Sequence, residues 1–290
     1  MRRVLLTGAG GVVGSALARF FSDSDTRLIL VNRPGKELAG TIGCDLGNAS
    51  AVSKLVVEQR PDVILHLAGS KDVFALEKDP TRARRANVDT TRNLRDATEG
   101  KDCFFVYLST DYVFEGVLGL HCETALAAPT TEYGKSKLEA EALLNESTLK
   151  FAIARSSSIF GYPRDFVSVV LDALQKRQAF PAFSDLVSSP TYLGSLFEML
   201  QRIIAQRLTG VFHTAGNQAV SRETFARQIA VAFNLNVGLI RSEKREERIR
   251  PPDLSLDNRA TCAALGYRPP SLEQILSENR AVWSPPERTK

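Results

Sequence analysis

The chain has 290 residues, 43% hydrophobic and 24% charged, which leaves no compositional case for disorder and gives length enough for one main core with a smaller appended lobe. Lysine and arginine outnumber aspartate and glutamate by 37 to 33, a net charge of +4 too small and too scattered to support nucleic-acid binding. Four cysteines (Cys44, Cys103, Cys122, Cys262) lie far apart without a CxxC pair, which argues against a metal site or a disulfide framework and fits reduced thiols.

Short apolar runs alternate with amphipathic segments through the first half. The periodicity predicts strands at Arg3 to Thr7, Leu28 to Val31, Val63 to His66, Cys103 to Leu108 and Phe151 to Ala154. Between them it predicts helices at Val12 to Ser22, Ala51 to Gln59, Thr81 to Thr98 and Tyr133 to Glu146. Strands separated by helices of this length form βαβ units, so the expected fold is α/β, a Rossmann-type doubly wound parallel sheet. Beyond Gly161, prolines separate helical stretches at Phe166 to Arg177, Tyr192 to Arg207 and Ser221 to Phe233. The expected division is a dinucleotide-binding domain over 1–160, to which later strands return, and mainly a substrate-binding lobe over 161–290. Pro285 to Lys290 reads as a frayed tail.

No apolar stretch approaches the roughly twenty residues that cross a bilayer. Val4 to Thr7 is also too short for the apolar region of a signal peptide, so a cytoplasmic protein without membrane partners is expected.

The first predicted strand runs into Thr7-Gly8-Ala9-Gly10-Gly11-Val12-Val13-Gly14. Gly8 permits a tight turn, Gly11 lets backbone approach a pyrophosphate, and Gly14 lets the helix pack on the sheet, with Val12 and Val13 opening the helix that faces the anion. At the end of the second strand, where an acid would bond the ribose hydroxyls of NAD, stand Asn32 and Arg33. A guanidinium pairs with a 2′-phosphate, so NADP is favoured, with NAD as the alternative if Arg33 is only a loop residue. Asp45 and Leu46 suit an adenine-contacting pair. Leu67, Ala68 and Gly69 follow the fourth strand and pass under the cofactor, while His66 reads as a strand-end packing residue.

Tyr133 and Lys137, four apart at the start of a helix, share one face, and a cation there would lower the phenol's pKa and make it a proton donor or acceptor. Lys137 also suits the nicotinamide ribose. The fifth strand ends in Ser109-Thr110-Asp111-Tyr112, placing a hydroxyl at the carboxyl edge where such sheets bind ligands. The run Arg241 to Arg250, with Glu243, Glu246 and Glu247 among its arginines, reads chiefly as a solvated face; the alternative is a site for an anionic substrate held by Arg250 beside Pro251-Pro252.

Together these pieces resemble the extended short-chain dehydrogenases, and among them the dTDP-4-dehydrorhamnose reductase branch. The likeness spans nearly the whole chain. It rests on Thr7 to Gly14, Pro61 to Ala68, Asn87-Val88, Ser109 to Phe114, Tyr133 to Lys137 with Glu139 and Glu141 following, Ser189 to Tyr192, Gly210 to His213 and Arg250 to Leu256. The resemblance implies Thr110, Tyr133 and Lys137 as the catalytic trio, Asn87 among the cofactor contacts, and Asp111 and Tyr112 facing the substrate. Where many relatives carry Arg-x-x-Asn, this chain has Arg155-Ser156-Ser157-Ser158, so a polar substrate contact is absent or replaced by Ser158. The implied activity is NADPH-dependent reduction of a 4-keto nucleotide sugar with Tyr133 as general acid. Two alternatives stand beside it: an NAD-dependent 4-epimerase and a non-catalytic NADP-binding regulatory subunit. The expected partner is a nucleotide sugar, and a homodimer is left open.

Overall fold

A computed structural model of the chain describes residues 2–21 and 26–283. Its first half runs β1 (Arg2–Thr7), α1 (Val12–Phe20), β2 (Thr26–Asn32), β3 (Thr41–Gly43), α2 (Ala49–Gln59), β4 (Val63–His66), α3 (Val73–Lys78), α4 (Pro80–Ala83), α5 (Thr90–Thr98), β5 (Phe104–Thr110), α6 (Glu132–Asn145) and β6 (Lys150–Ser156). Its second half continues with β7 (Ile159–Phe160), α7 (Phe166–Gln175), β8 (Phe180–Phe183), β9 (Val187–Ser188), β10 (Thr191–Tyr192), α8 (Leu193–Gln206) and β11 (Gly210–His213). Then follow β12 (Val220–Ser221), α9 (Arg222–Ala232), β13 (Ile240–Glu243), α10 (Arg259–Leu265) and α11 (Leu272–Glu278).

Seven parallel strands form the central sheet in the order β11-β6-β5-β4-β1-β2-β3. Its strands are apolar on both faces because successive side chains point to opposite sides and both sides are covered. Val4, Leu6, Val63, Leu65, Phe104 and Val106 pack against Leu17 of α1 and Leu196, Met199, Leu200 and Ile203 of α8. Their sequence neighbours Leu5, Ile64, Phe105 and Tyr107 pack against Val52 and Val56 of α2, Leu94 of α5 and Ala140 and Leu144 of α6. Strand order reverses between β1 and β4, which opens a crevice at their carboxyl ends.

The doubly wound α/β expectation therefore holds, and the sheet draws on elements beyond residue 160. Residues of α8, Phe212 of β11 and Leu265 of α10 belong to the sheet's own core. A separate apolar cluster, with Phe160, Val170, Leu174, Phe225, Ile229 and Leu276, makes the lobe. The helix predicted from Thr81 to Thr98 is in three pieces, with a π-helical turn at Arg84–Asp89 between α4 and α5. Pro80 and the Asp79 side chain, which accepts from the Arg82 amide at 3.0 Å, start it one residue early. The Thr90 and Thr91 hydroxyls donate back to the Ala86 and Asn87 carbonyls, at 2.8 and 2.7 Å, across the widened turn. The helix α3 was not anticipated; Asp72 caps it through the Ala75 amide. The predicted helix end at Ser22 and the tail Pro285 to Lys290 lie outside the described residues.

Candidate functional site

One cavity of about 440 Å³ lies at the carboxyl edge of the sheet. Of the residues singled out from sequence, Gly8, Gly11, Val12, Val13, Gly14, Leu67, Gly69, Asn87, Thr110, Asp111, Tyr112, Tyr133, Lys137 and Ser158 line it. Asn32, Arg33, Asp45, Leu46, Ala68 and Arg250 do not.

The floor under β1 is built from backbone. A Cβ on Gly14 would sit 2.2 Å from the Gly8 carbonyl oxygen, so only glycine lets α1 start this close to the preceding turn. Gly11 caps α1 without a side-chain hydrogen bond, and the first-turn amides have no helical acceptors, so this end offers unpaired donors to the cavity. The Asn32 side chain serves the same loop: it is buried and its Oδ1 accepts from the Gly10 amide. Arg33 is exposed and, among the described residues, its side chain makes no ion pair or hydrogen bond. Asp45 is exposed and accepts from Gly47; Leu46 is buried beside Val52 and Leu55.

A proton-ordered chain fixes the neighbouring loop. The Leu67 and Ala68 amides both donate to Thr7 Oγ1 at 3.2 Å, so the Thr7 hydroxyl must spend its own proton on His66 Nδ1, 2.7 Å away. His66 then carries its proton on Nε2 and donates to Thr91 at 3.1 Å, and Thr91 donates to the Asn87 carbonyl. Full burial, with Lys137 nearby, holds the imidazole pKa down to about 3, so His66 is a neutral structural link, as its strand-end position suggested. The Asn87 side chain completes the link. Its Oδ1 accepts from the Ser70 amide at 2.8 Å, and its Nδ2 donates to the Ser70 carbonyl and to Ser136 Oγ. Ser136 in turn donates to the Tyr133 carbonyl.

The helix α6 starts at Thr131, whose hydroxyl accepts from the Gly134 amide at 3.0 Å. A Cβ at Gly134 would lie 2.1 Å from the Tyr112 carbonyl oxygen, so this glycine is what lets α6 press onto the Thr110 to Val113 turn. Tyr133 thereby meets Tyr112 edge to face, ring centroids 5.4 Å apart. Lys137 is buried one turn on, with Nζ donating to the Leu108 carbonyl at 2.7 Å and lying 3.9 Å from the Tyr107 ring centroid.

The expected electrostatics of this pair are reversed. Burial pushes the Tyr133 phenol upward, Asp111 and Tyr112 add to it, and the Thr110 hydroxyl pulls only partly the other way. Lys137 does not bring it down, because desolvation lowers the lysine itself from 10.5 to about 7, against the pull of Glu141. Tyr133 is thus held protonated.

Opposite, burial raises the Asp111 carboxyl to about 6, while Ser157, Thr110 and the charge of Arg222 favour the carboxylate. Thr110 Oγ1 donates to Asp111 Oδ1 at 3.0 Å. Ser158 stands in a left-handed backbone conformation, φ 38°, and accepts from Arg222 at 3.3 Å. Arg250 is clamped between Phe74 and Phe183, 5.6 Å from each ring centroid, and pairs with Glu247 at 2.7 Å. The basic run is not simply a solvated face: Arg245 is buried, its guanidinium donating to the Asp185 and Arg250 carbonyls.

Sequence reasoning passed over Ser70, Lys71, Tyr162 and Arg222, which also line the cavity. It named Glu141 only as part of a resemblance. That carboxylate is buried one turn beyond Lys137, accepting from Ser109 at 2.5 Å and from Arg155 at 2.6 and 3.1 Å, so it ties α6 to β5 and β6. Spacing from Tyr133 and Lys137 in steps of four would have flagged Glu141. Nothing local marks an arginine at a helix start as turned into a cavity.

Residues 1–281 match the family model described as RmlD substrate binding domain. The chain is 30% identical over 298 residues to a dTDP-4-dehydrorhamnose reductase of Aggregatibacter actinomycetemcomitans, covering 97% of this chain and 99% of that protein. It is 28% identical over 291 residues to methionine adenosyltransferase 2 subunit beta of Bos taurus, covering 93% and 84%. Among solved structures, it superposes with a TM-score of 0.86 and 28% identity on a dTDP-4-dehydrorhamnose reductase of Bacillus anthracis in complex with NADP, over 97% of this chain and 99% of that one.

Proposed function

From the premise that the chain belongs to the RmlD substrate binding domain family, we propose that it is an NADPH-dependent reductase of a 4-keto nucleotide sugar, of the dTDP-4-dehydrorhamnose reductase kind. One observation carries this reading: the glycine-built helix end, Thr110, Tyr133 and Lys137 meet in one cavity, with Tyr133 kept protonated. The residues present fit a dinucleotide. Its pyrophosphate would meet the uncapped start of α1, in a cradle that a Cβ at Gly8 or Gly14 would fill, and the loop held by Asn87 would lie beside it. Arg33, exposed beyond β2 and without a partner among the described residues, is placed to take a 2′-phosphate.

When bound, NADPH supplies a hydride to the carbonyl carbon. Tyr133 donates the phenolic proton to the oxygen as negative charge develops there, and the Thr110 hydroxyl orients that oxygen. The tyrosinate left behind must regain a proton before the next turnover, and Lys137, one helical turn on, lines the same cavity. Leu108 and the Tyr107 face keep that ammonium in place. Asp111 and Tyr112 form the substrate side of the same turn. Among the described residues no helix is long and apolar enough to cross a membrane.

Relatives named methionine adenosyltransferase 2 subunit beta keep a second reading in play, that this chain is a subunit of another assembly, for which we propose NADP binding without turnover. Incubating the purified protein with NADPH and a panel of 4-keto nucleotide sugars, while following reduced-nicotinamide absorbance, separates the two. Multiple turnovers are expected. Tight NADP binding with no turnover on any member of the panel would establish the subunit reading instead.

A further inference from the structure

Arg222 is the first residue of α9. Its amide donates to the Leu186 carbonyl at 3.0 Å, and the preceding Ser221 caps the helix through the Thr224 amide at 3.0 Å, so the backbone that carries it is held on both sides. Its guanidinium lies 4.7 Å from the Phe166 ring centroid and enters the cavity beside Ser158, the only side chain among the described residues to which it donates. Among the described residues it forms no ion pair, whereas nearby Arg245 and Arg250 have Asp185 and Glu247 at 3.4 and 2.7 Å. Asp111, whose charge acts on Arg222, accepts from the Thr110 hydroxyl.

A guanidinium has five N–H donors, and a half-buried one with a single weak acceptor is costly unless something else brings negative charge. Arg222, Asp111, Tyr112 and Tyr162 influence one another's charge, and Tyr112 touches Tyr133, so this cation stands on the side of the cavity where the reacting carbon would lie. Arg250, whose charge also acts on Arg222 and Tyr112, is paired with Glu247 and does not line the cavity.

We propose that Arg222 is a substrate-binding residue that takes a charged oxygen of the substrate next to the reacting sugar. Two groups supply that chemistry, the sugar-linked phosphate or a carboxylate on the hexose. The proposal rests on the nucleotide-sugar reading.

The test titrates dTDP, dTDP-glucose and dTDP-glucuronic acid by calorimetry, at saturating NADP, into the unaltered protein, Arg222→Gln and Arg222→Lys. If the phosphate is the partner, Arg222→Gln weakens all three by about ten- to hundredfold, the range of a charged hydrogen bond, with NADP affinity unchanged and Arg222→Lys in between. If the carboxylate is the partner, the unaltered protein prefers dTDP-glucuronic acid over dTDP-glucose and Arg222→Gln erases that preference alone. Equal affinities in the unaltered and Gln proteins, or a loss confined to NADP, overturn the proposal. Should Arg222→Gln fail to fold, Ser158→Asp sets a carboxylate against the intact guanidinium and must cause the same losses; undiminished affinity there overturns it as well. Binding of none of the three probes by the unaltered protein would remove the nucleotide-sugar reading and this proposal with it, an outcome distinct from binding that ignores Arg222.

Discussion

Two walls face each other across the cavity. The wall made by β1, β4, α1 and α6 offers backbone amides, a phenol held protonated and an ammonium close to neutrality, all fixed by buried hydrogen bonds. The wall made by the second half of the chain offers Arg222, with Arg250 behind it, and its polar contact joins Ser158 to an arginine 64 residues away. The first wall is rigid and nearly neutral, suited to positioning and proton transfer. The second is cationic and assembled from side chains, suited to recognising charge. Proton chemistry and charge recognition are thus separated in space, which lets the phenol stay dry while the mouth stays attractive to anions.

The rigidity of the first wall can be broken at Glu141. Glu141→Gln leaves Arg155 buried without its carboxylate, and the unfolding free energy in urea should fall by about 3–5 kcal/mol. A drop under about 1 kcal/mol would mean that the buried pair does not hold α6 to the sheet. Next in size is Tyr133→Phe, which should cut turnover by about a hundredfold or more while NADP affinity and melting temperature stay put. Near-normal turnover in this variant removes Tyr133 from the chemistry.

The cost of placing an amine in that wall can be read from pH. The Lys137 pKa is depressed from 10.5 to about 7, so its contribution to stability is complete above about 10.5 and is lost as pH falls through about 7. Cofactor-free Lys137→Met should therefore melt a few degrees above the unaltered protein at pH 7, with the gap closing toward pH 10.5, while turnover is abolished. Scanning calorimetry at both pH values checks it; a gap independent of pH would show that desolvation is not the cause. The smallest effect is expected at Arg33. Arg33→Ala should weaken NADPH several-fold, because an exposed guanidinium is well screened, and leave NADH unchanged. Equal losses for both cofactors would make Arg33 a support for its loop.

Several of these residues were readable in advance, for reasons that differ. Gly8 to Gly14 and Tyr133 with Lys137 are contiguous, so local spacing determines what their backbone and side chains can reach together. Asn32 was a cofactor-contact candidate from its place at the end of β2; its side chain accepts from the Gly10 amide and donates to Thr41, because a buried amide must satisfy both its ends. The sign of the Tyr133 shift was misjudged because spacing shows that a lysine is near and says nothing of how dry the site is. In the dry site, burial outweighs the neighbouring charge for both groups.

What the sequence alone determined is the parallel sheet, from apolar runs too continuous to face water, and the anion-binding turn after β1, from glycines whose Cβ atoms would collide with the Gly8 carbonyl and the β4 loop. Only the tertiary structure decided that α8 and β11 complete the first core, that a π-helical turn aims Asn87 inward, and that Arg222 enters the cavity while Arg250 is clamped outside it. Those outcomes depend on which segments meet across long stretches of chain, and on competition for burial and hydrogen-bond partners that no local spacing encodes.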